Sequence, residues 1–199
     1  MRSGGHLTPL WASGSILYRG LRRIDAAHGV ASWDEALTWL ASQPASITEI
    51  QYWGHGTWGG ARVGADRLDA GALSPVHRLR ARLEALRDHL APNALFWFRT
   101  CETLGATRGI DFAERFADFL GARVAGHTYV IGVHQSGLHG VAPGVRADWS
   151  PDEGLAEGTG DAPVRAQGSH RKAPRTITCF HGQVPADWFS RGIDDRANR

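Results

Sequence analysis

Apolar residues recur along this chain in two rhythms: short β-branched and aromatic runs, and longer stretches with apolar positions three and four apart. Leu79, Leu83, Leu86 and Leu90 follow the spacing of one helical face, with Arg and Glu elsewhere, and predict a helix that Pro92 stops. Phe112, Phe116, Phe119 and Leu120 predict the next helix, closed by Gly121. Upstream, Ser32-Trp33-Asp34-Glu35 reads as a capping box that opens a helix running to about Ala41, with Leu37, Leu40 and Trp33 toward a sheet and Trp39 on another part of the surface.

The short runs read as strands. Ile16-Leu17-Tyr18 comes first, then Ile47 to Trp53, Ala94 to Phe98, Val124 with Tyr129 to Val133, and Thr176 to Phe180. Striped helices alternating with strands predict a parallel α/β sheet covered by helices. From Gly140 to Pro174 the chain is rich in Gly, Pro, Ala and charge without periodicity, which predicts a long loop. The expected organisation is a loose arm over 1–14, one domain over 15–189 that includes the 140–174 loop, and a tail over 190–199.

Two strands end abruptly on reactive residues. Ile47 to Trp53 runs into Gly54-His55-Gly56, and Ala94 to Phe98 runs into Arg99-Thr100-Cys101-Glu102. Residues just past strand ends line the ligand crevice of a parallel sheet, so His55 and Cys101 are expected to meet there. A thiol beside an imidazole is a nucleophile and base arrangement. Singly, Cys101 reads equally as a buried small hydrophobe and His55 as a polar residue in a glycine turn.

Composition narrows the alternatives. At 199 residues and 42% hydrophobic content the chain suits one core. Its 22 basic and 20 acidic residues nearly balance, and no basic tract with interleaved aromatics favours nucleic acid. No apolar stretch approaches the ~20 residues that span a bilayer. Cys101 and Cys179 make no disulfide framework, and no signal-peptide pattern opens the chain, so a cytoplasmic setting is expected. The glycines of Gly54-His55-Gly56-Thr57-Trp58-Gly59-Gly60 lack the Gly-Lys-Ser/Thr ending of a phosphate loop and are expected to let backbone approach a substrate. Neither that loop nor any other segment supplies a cofactor site.

The order of strand, His-Gly, helix, strand and Cys, with His55 standing 46 positions before Cys101, resembles the caspase-like cysteine peptidases, above all the bacterial caspase-like domains of uncharacterised function. The resemblance extends from about Ile47 to Gly132 and includes the segment Asp111 to Gly126. It departs from the caspase signature, with Arg-Thr-Cys-Glu-Thr where caspases carry Gln-Ala-Cys-x-Gly. It implies a three-layer α/β/α sandwich with a mostly parallel sheet of about six strands.

For function, the resemblance implies an endopeptidase acting on a protein or peptide substrate, with His55 and Cys101 as the dyad and the backbone amides of Gly56 and Cys101 as oxyanion donors. Arg99, two before the nucleophile, would line the pocket for the residue preceding the scissile bond and favour an acidic side chain. Alternatively Arg99 pairs with an internal carboxylate such as Glu102 or Glu114. Glu102 would instead select Arg or Lys, and His127 and Tyr129 would shape a subsite or pack in the core. A homodimer or an activating partner also enters with the family. His127, His134, His139 and Asp148 with His55 and Cys101 raise a metal reading, but no HExxH or paired Cys-x-x-Cys supports it, and no metal is expected. The rival functions are a catalytically silent caspase-like interaction or assembly domain, and a hydrolase or acyltransferase acting on a small molecule through the same dyad.

Overall fold

The computed structural model describes residues 24–190. The expectations for the 1–14 arm, for the strand at Ile16-Leu17-Tyr18 and for residues 191–199 of the tail lie outside the described residues.

In chain order the regular elements are α1 (Trp33–Ala41), β1 (Ile47–Trp53), β2 (His55–Thr57), β3 (Gly60–Val63), β4 (Asp66–Asp69), α2 (Arg80–Arg87) and β5 (Leu90–Arg99). Then come α3 (Ala106–Leu120), β6 (Arg123–His127), β7 (His134–Gln135), β8 (Leu138–Val141), β9 (Leu155–Gly158), β10 (Pro163–Ala166) and β11 (Ile177–Thr178). The Ser32 hydroxyl caps α1 by accepting from the Glu35 amide at 3.1 Å, while the Glu35 carboxylate reaches back one residue further than a capping box requires, to the Ala31 amide at 2.7 Å. Gly121 closes α3 in the left-handed region with φ of 63°.

The central sheet runs in the order β1, β5, β6, β8; the first three strands are parallel and β8 is antiparallel to β6. This is a mixed α/β fold with a four-stranded, mostly parallel sheet in place of the six strands expected. The Tyr129 to Val133 run adds no strand, and the Thr176 to Phe180 run pairs only through Ile177 and Thr178, with β7 in a separate ribbon.

Strand periodicity explains the layers. Ala94, Phe96 and Phe98 of β5 enter the larger core, which packs α1, α2 and α3 together on one face of the sheet. Leu95 and Trp97 point to the other face, where Ala125, Leu138 and Ile177 join them beneath Val184, Trp188 and Phe189. Among the described residues that second face carries the C-terminal segment and no α-helix, so the three-layer expectation gives way to helices on one side and irregular chain on the other.

Three further departures have local causes. Helix α2 ends at Arg87, and Leu90 and Pro92 lie inside β5, where the register with β1 shifts between Ile47 and Glu49 and Asn93 takes φ of 60°. A proline without an N–H is tolerated at such an irregularity. The 140–174 segment is no structureless loop: it holds the end of β8 and the β9–β10 ribbon, and the Trp149 indole N–H anchors it to the Leu104 carbonyl at 3.1 Å. Between β1 and α2 the chain inserts a small antiparallel sheet, β2-β3-β4.

Candidate active site

Register places the two candidate catalytic residues. In the parallel pair β1 and β5, Trp53 stands opposite Arg99, so both strands reach the same sheet edge together. His55 opens β2 two residues after Trp53, and Cys101 follows Arg99 by two. Gly56 closes the approach. A Cβ at this position would stand 2.7 Å from the Cys101 carbonyl oxygen and 2.8 Å from the Thr100 Cβ, and would collide with the Thr103 hydroxyl. The chain carrying His55 therefore lies directly on the turn carrying Cys101, as only glycine permits.

His55 is exposed, and its backbone lies against the hydroxyl of the half-buried Tyr52, which donates to the Arg62 carbonyl. The Tyr52 ring folds over Gly54, and burial raises its phenol above the ordinary range. The glycines expected to admit a substrate thus accommodate the protein's own atoms. Gly59, with φ of 74°, would place a Cβ 2.7 Å from the Arg108 carbonyl oxygen.

The turn that carries Cys101 is tied down by several hydrogen bonds. The Thr100 and Thr103 hydroxyls bond each other, and Thr103 also donates to the Cys101 carbonyl at 3.1 Å. The amides of Glu102 and Leu104 donate to the carbonyls of Tyr129 and His127 at 2.9 and 3.0 Å, and the Gly59 amide donates to the Thr103 carbonyl at 3.0 Å. Cys101 is half-buried, with Sγ 4.0 Å from the Ile131 carbonyl oxygen. Burial pushes its thiol above the ordinary range, and the Glu102 charge adds to that. Glu102 takes φ of 31°, its Oε2 is buried without a hydrogen-bond partner, and burial raises its carboxyl to about 7.

Arg99 occupies a different environment from the open pocket expected of it. It is 2% exposed, and its guanidinium lies 4.1 Å from the Trp53 ring centroid and 4.2 Å from that of Trp97. Nη1 donates to the His181 carbonyl at 2.9 Å and to Gln51 Oε1 at 3.3 Å, and Nη2 to Gln135 Oε1 at 2.9 Å and the Cys179 carbonyl at 3.0 Å. An acidic side chain could reach this cation only after the 179–181 segment released it. Strand parity supplies the cause: Arg99 shares the Trp97 face of β5, over which the C-terminal segment lies.

His127 is fully buried at the end of β6, with Nδ1 3.1 Å from the Ser136 carbonyl oxygen, and burial lowers its imidazole to about 3. Tyr129 is also buried, and its backbone rather than its ring meets the Cys101 turn, its carbonyl accepting from the Glu102 amide. Both build the wall behind Cys101. His139 accepts at Nδ1 from Arg175 over 2.6 Å, because a guanidinium can only donate, and so presents Nε2–H to Glu153 at 2.7 Å. Asp148 accepts from the Ser190 hydroxyl at 2.8 Å. Among the described residues no group of three or more His, Cys, Asp or Glu could hold a metal ion.

Cys179 follows β11 rather than lying within a strand, and its amide donates to the Val133 carbonyl at 2.8 Å. A cleft of about 630 Å³ between Trp58, Arg67, Thr107, Arg108 and Asp111 is lined by neither His55 nor Cys101. The neighbour of the thiol that the sequence did not single out is the Ile131 carbonyl, brought there only through the tertiary fold. The paired Thr100 and Thr103, flanking Cys101 three residues apart, were a legible signal of a hydroxyl-braced turn. No described helix is long and apolar enough to cross a membrane. No family model, curated protein or solved structure matches the chain.

Proposed function

We propose that the chain is a caspase-like cysteine endopeptidase in which Cys101 is the nucleophile and His55 its base. The observation that carries this reading is the packing of Gly56 on the Cys101 carbonyl, at the shared edge of the two strands that lead to His55 and Cys101.

Burial raises the Cys101 thiol above its ordinary range, so its attack calls for a base. His55 takes the Cys101 proton as Sγ bonds to the scissile carbonyl carbon, and returns it to the departing amine as the C–N bond breaks. Water then hydrolyses the thioester, releasing the carboxyl product and restoring the thiol. The Gly56 and Cys101 amides are assigned to the developing oxyanion, where losing one donor typically lowers the rate about 100-fold or more. The acidic preference first expected from Arg99 belongs to this proposal only for a state in which the 179–181 segment has moved.

A second reading, a catalytically silent interaction domain, is favoured by the raised Cys101 thiol, since reactive cysteines usually have lowered values. A positional-scanning peptide library offered to the wild type and to Cys101→Ala separates the two. Cleavage that disappears in the folded variant supports the peptidase, and no cleavage by a well-folded wild type supports the silent domain.

A further inference from the structure

We infer that Thr103 is a positioning residue of the proposed peptidase: its hydroxyl pins the peptide between Cys101 and Glu102 in a strained turn that holds the Glu102 carboxylate near the sulfur. This rests on the reading of Cys101 as the nucleophile.

The order of the protons follows from what a hydroxyl can donate. Thr103 gives its single hydroxyl proton to the Cys101 carbonyl at 3.1 Å, so in the contact between the two threonines Thr100 is the donor. Both threonines are buried, and a methyl group at Gly56 would collide with the Thr103 hydroxyl.

The other end of the same peptide is also held, because the Glu102 amide donates to the Tyr129 carbonyl at 2.9 Å. The next peptide is held by the Gly105 amide, which donates to the Glu102 carbonyl at 3.1 Å. Between these two planes Glu102 takes φ of 31°, a left-handed conformation that a residue with a side chain keeps only where its surroundings over-determine it. Of the three bonds only the one from Thr103 is made by a side chain, so it is the one a substitution can remove.

The strained backbone places a charge. Glu102 Oε2 is buried with no hydrogen-bond partner, so no bond to that atom fixes the carboxylate and the backbone has to. The Glu102 charge acts on Cys101, where it adds to the effect of burial on the thiol.

The test is the pH profile of Cys101 alkylation by iodoacetamide, read by peptide mass, with melting curves on every variant. Thr103→Val removes the hydroxyl and keeps the shape, Thr103→Ser keeps the hydroxyl, and Thr100→Val removes a buried hydroxyl but leaves the bond to Cys101. Thr103→Val should lower the midpoint and label about threefold faster at pH 8, and adding Glu102→Gln to it should lower the midpoint no further. Thr103→Ser and Thr100→Val should keep the wild-type midpoint. A wild-type midpoint in folded Thr103→Val, or a further shift in the double variant, would overturn the inference and leave the peptidase standing. If Thr103→Val does not fold, the strain itself decides: Glu102→Gly should melt above Glu102→Gln, and a Gly variant that melts lower would overturn the inference. The predicted shifts in a protein whose wild type cleaves no peptide would overturn the peptidase and uphold the role of Thr103.

Discussion

The Glu102 amide donates to the Tyr129 carbonyl over 2.9 Å, which fixes the residue after the candidate nucleophile to the chain that leads on to Ile131. The thiol and the wall beside it are thus one hydrogen-bonded unit, and the charge of Glu102 is held next to Cys101. Chemistry at the sulfur should report on that carboxylate.

Alkylation of Cys101 by iodoacetamide should rise with pH to a midpoint above the ordinary thiol value, because burial and the Glu102 charge both favour the protonated form. Above about pH 7 Glu102 is ionised and opposes the thiolate. Glu102→Gln should shift the midpoint down and speed labelling at pH 8 roughly threefold. An unchanged pH profile in the variant would show that Glu102 does not act on the sulfur.

Gly56→Ala forces a methyl group against the Cys101 carbonyl and the Thr103 hydroxyl. The strand carrying His55 must shift, and cleavage should fall at least about 100-fold through misplacement of the base. Circular dichroism should still show the central sheet, since β2 lies outside it. Retention of wild-type cleavage would contradict the close approach.

Arg99→Lys should destabilise the protein by about 3 kcal/mol in denaturant unfolding, since an ammonium cannot stack between two indoles and reach four acceptors. Hydrogen exchange at the Cys179 and His181 amides should accelerate in the same variant. A loss under 0.5 kcal/mol, a surface-like effect, would refute the clamp.

His127 is held neutral down to about pH 3, whereas an unfolded histidine takes up a proton near 6.5. The unfolded state therefore binds more protons over that interval, and stability should fall as pH drops from about 6.5 toward 3, by up to about 1.4 kcal/mol per pH unit from this group. His127→Asn, which keeps an N–H for the Ser136 carbonyl, should show a shallower fall in thermal melts between pH 6.5 and 4. The same slope in both proteins would assign the acid sensitivity elsewhere.

Much of this architecture is written in local pattern, and its misreadings share a physical origin. Phe112, Phe116 and Gly121 announced α3, and the capping serine announced α1, because periodicity and caps are short-range properties. Pro92 misled, since an irregular strand start accepts proline as readily as a helix end. The β2-β3-β4 insert left a fainter mark: Ala61, Val63 and Leu68 alternate inward around a turn at Gly64, but glycines dominated that stretch. His55 and Cys101 were legible as strand-end residues, whereas the fate of Arg99 depended on which segment covers the second face of the sheet. Its parity with Trp97 was visible in the sequence, but the contact with residue 181 was not.

The central claim is that His55 and Cys101 act together on peptide bonds. Its most direct measurement is cleavage of a fluorogenic peptide library by the wild type, Cys101→Ala and His55→Ala, with melting curves recorded in parallel. The account predicts that each substitution lowers kcat by about a thousandfold or more without changing the fold, and that the double variant loses no more than either alone, because the two act as one unit. Cleavage that survives in folded Cys101→Ala, or in folded His55→Ala, would contradict it.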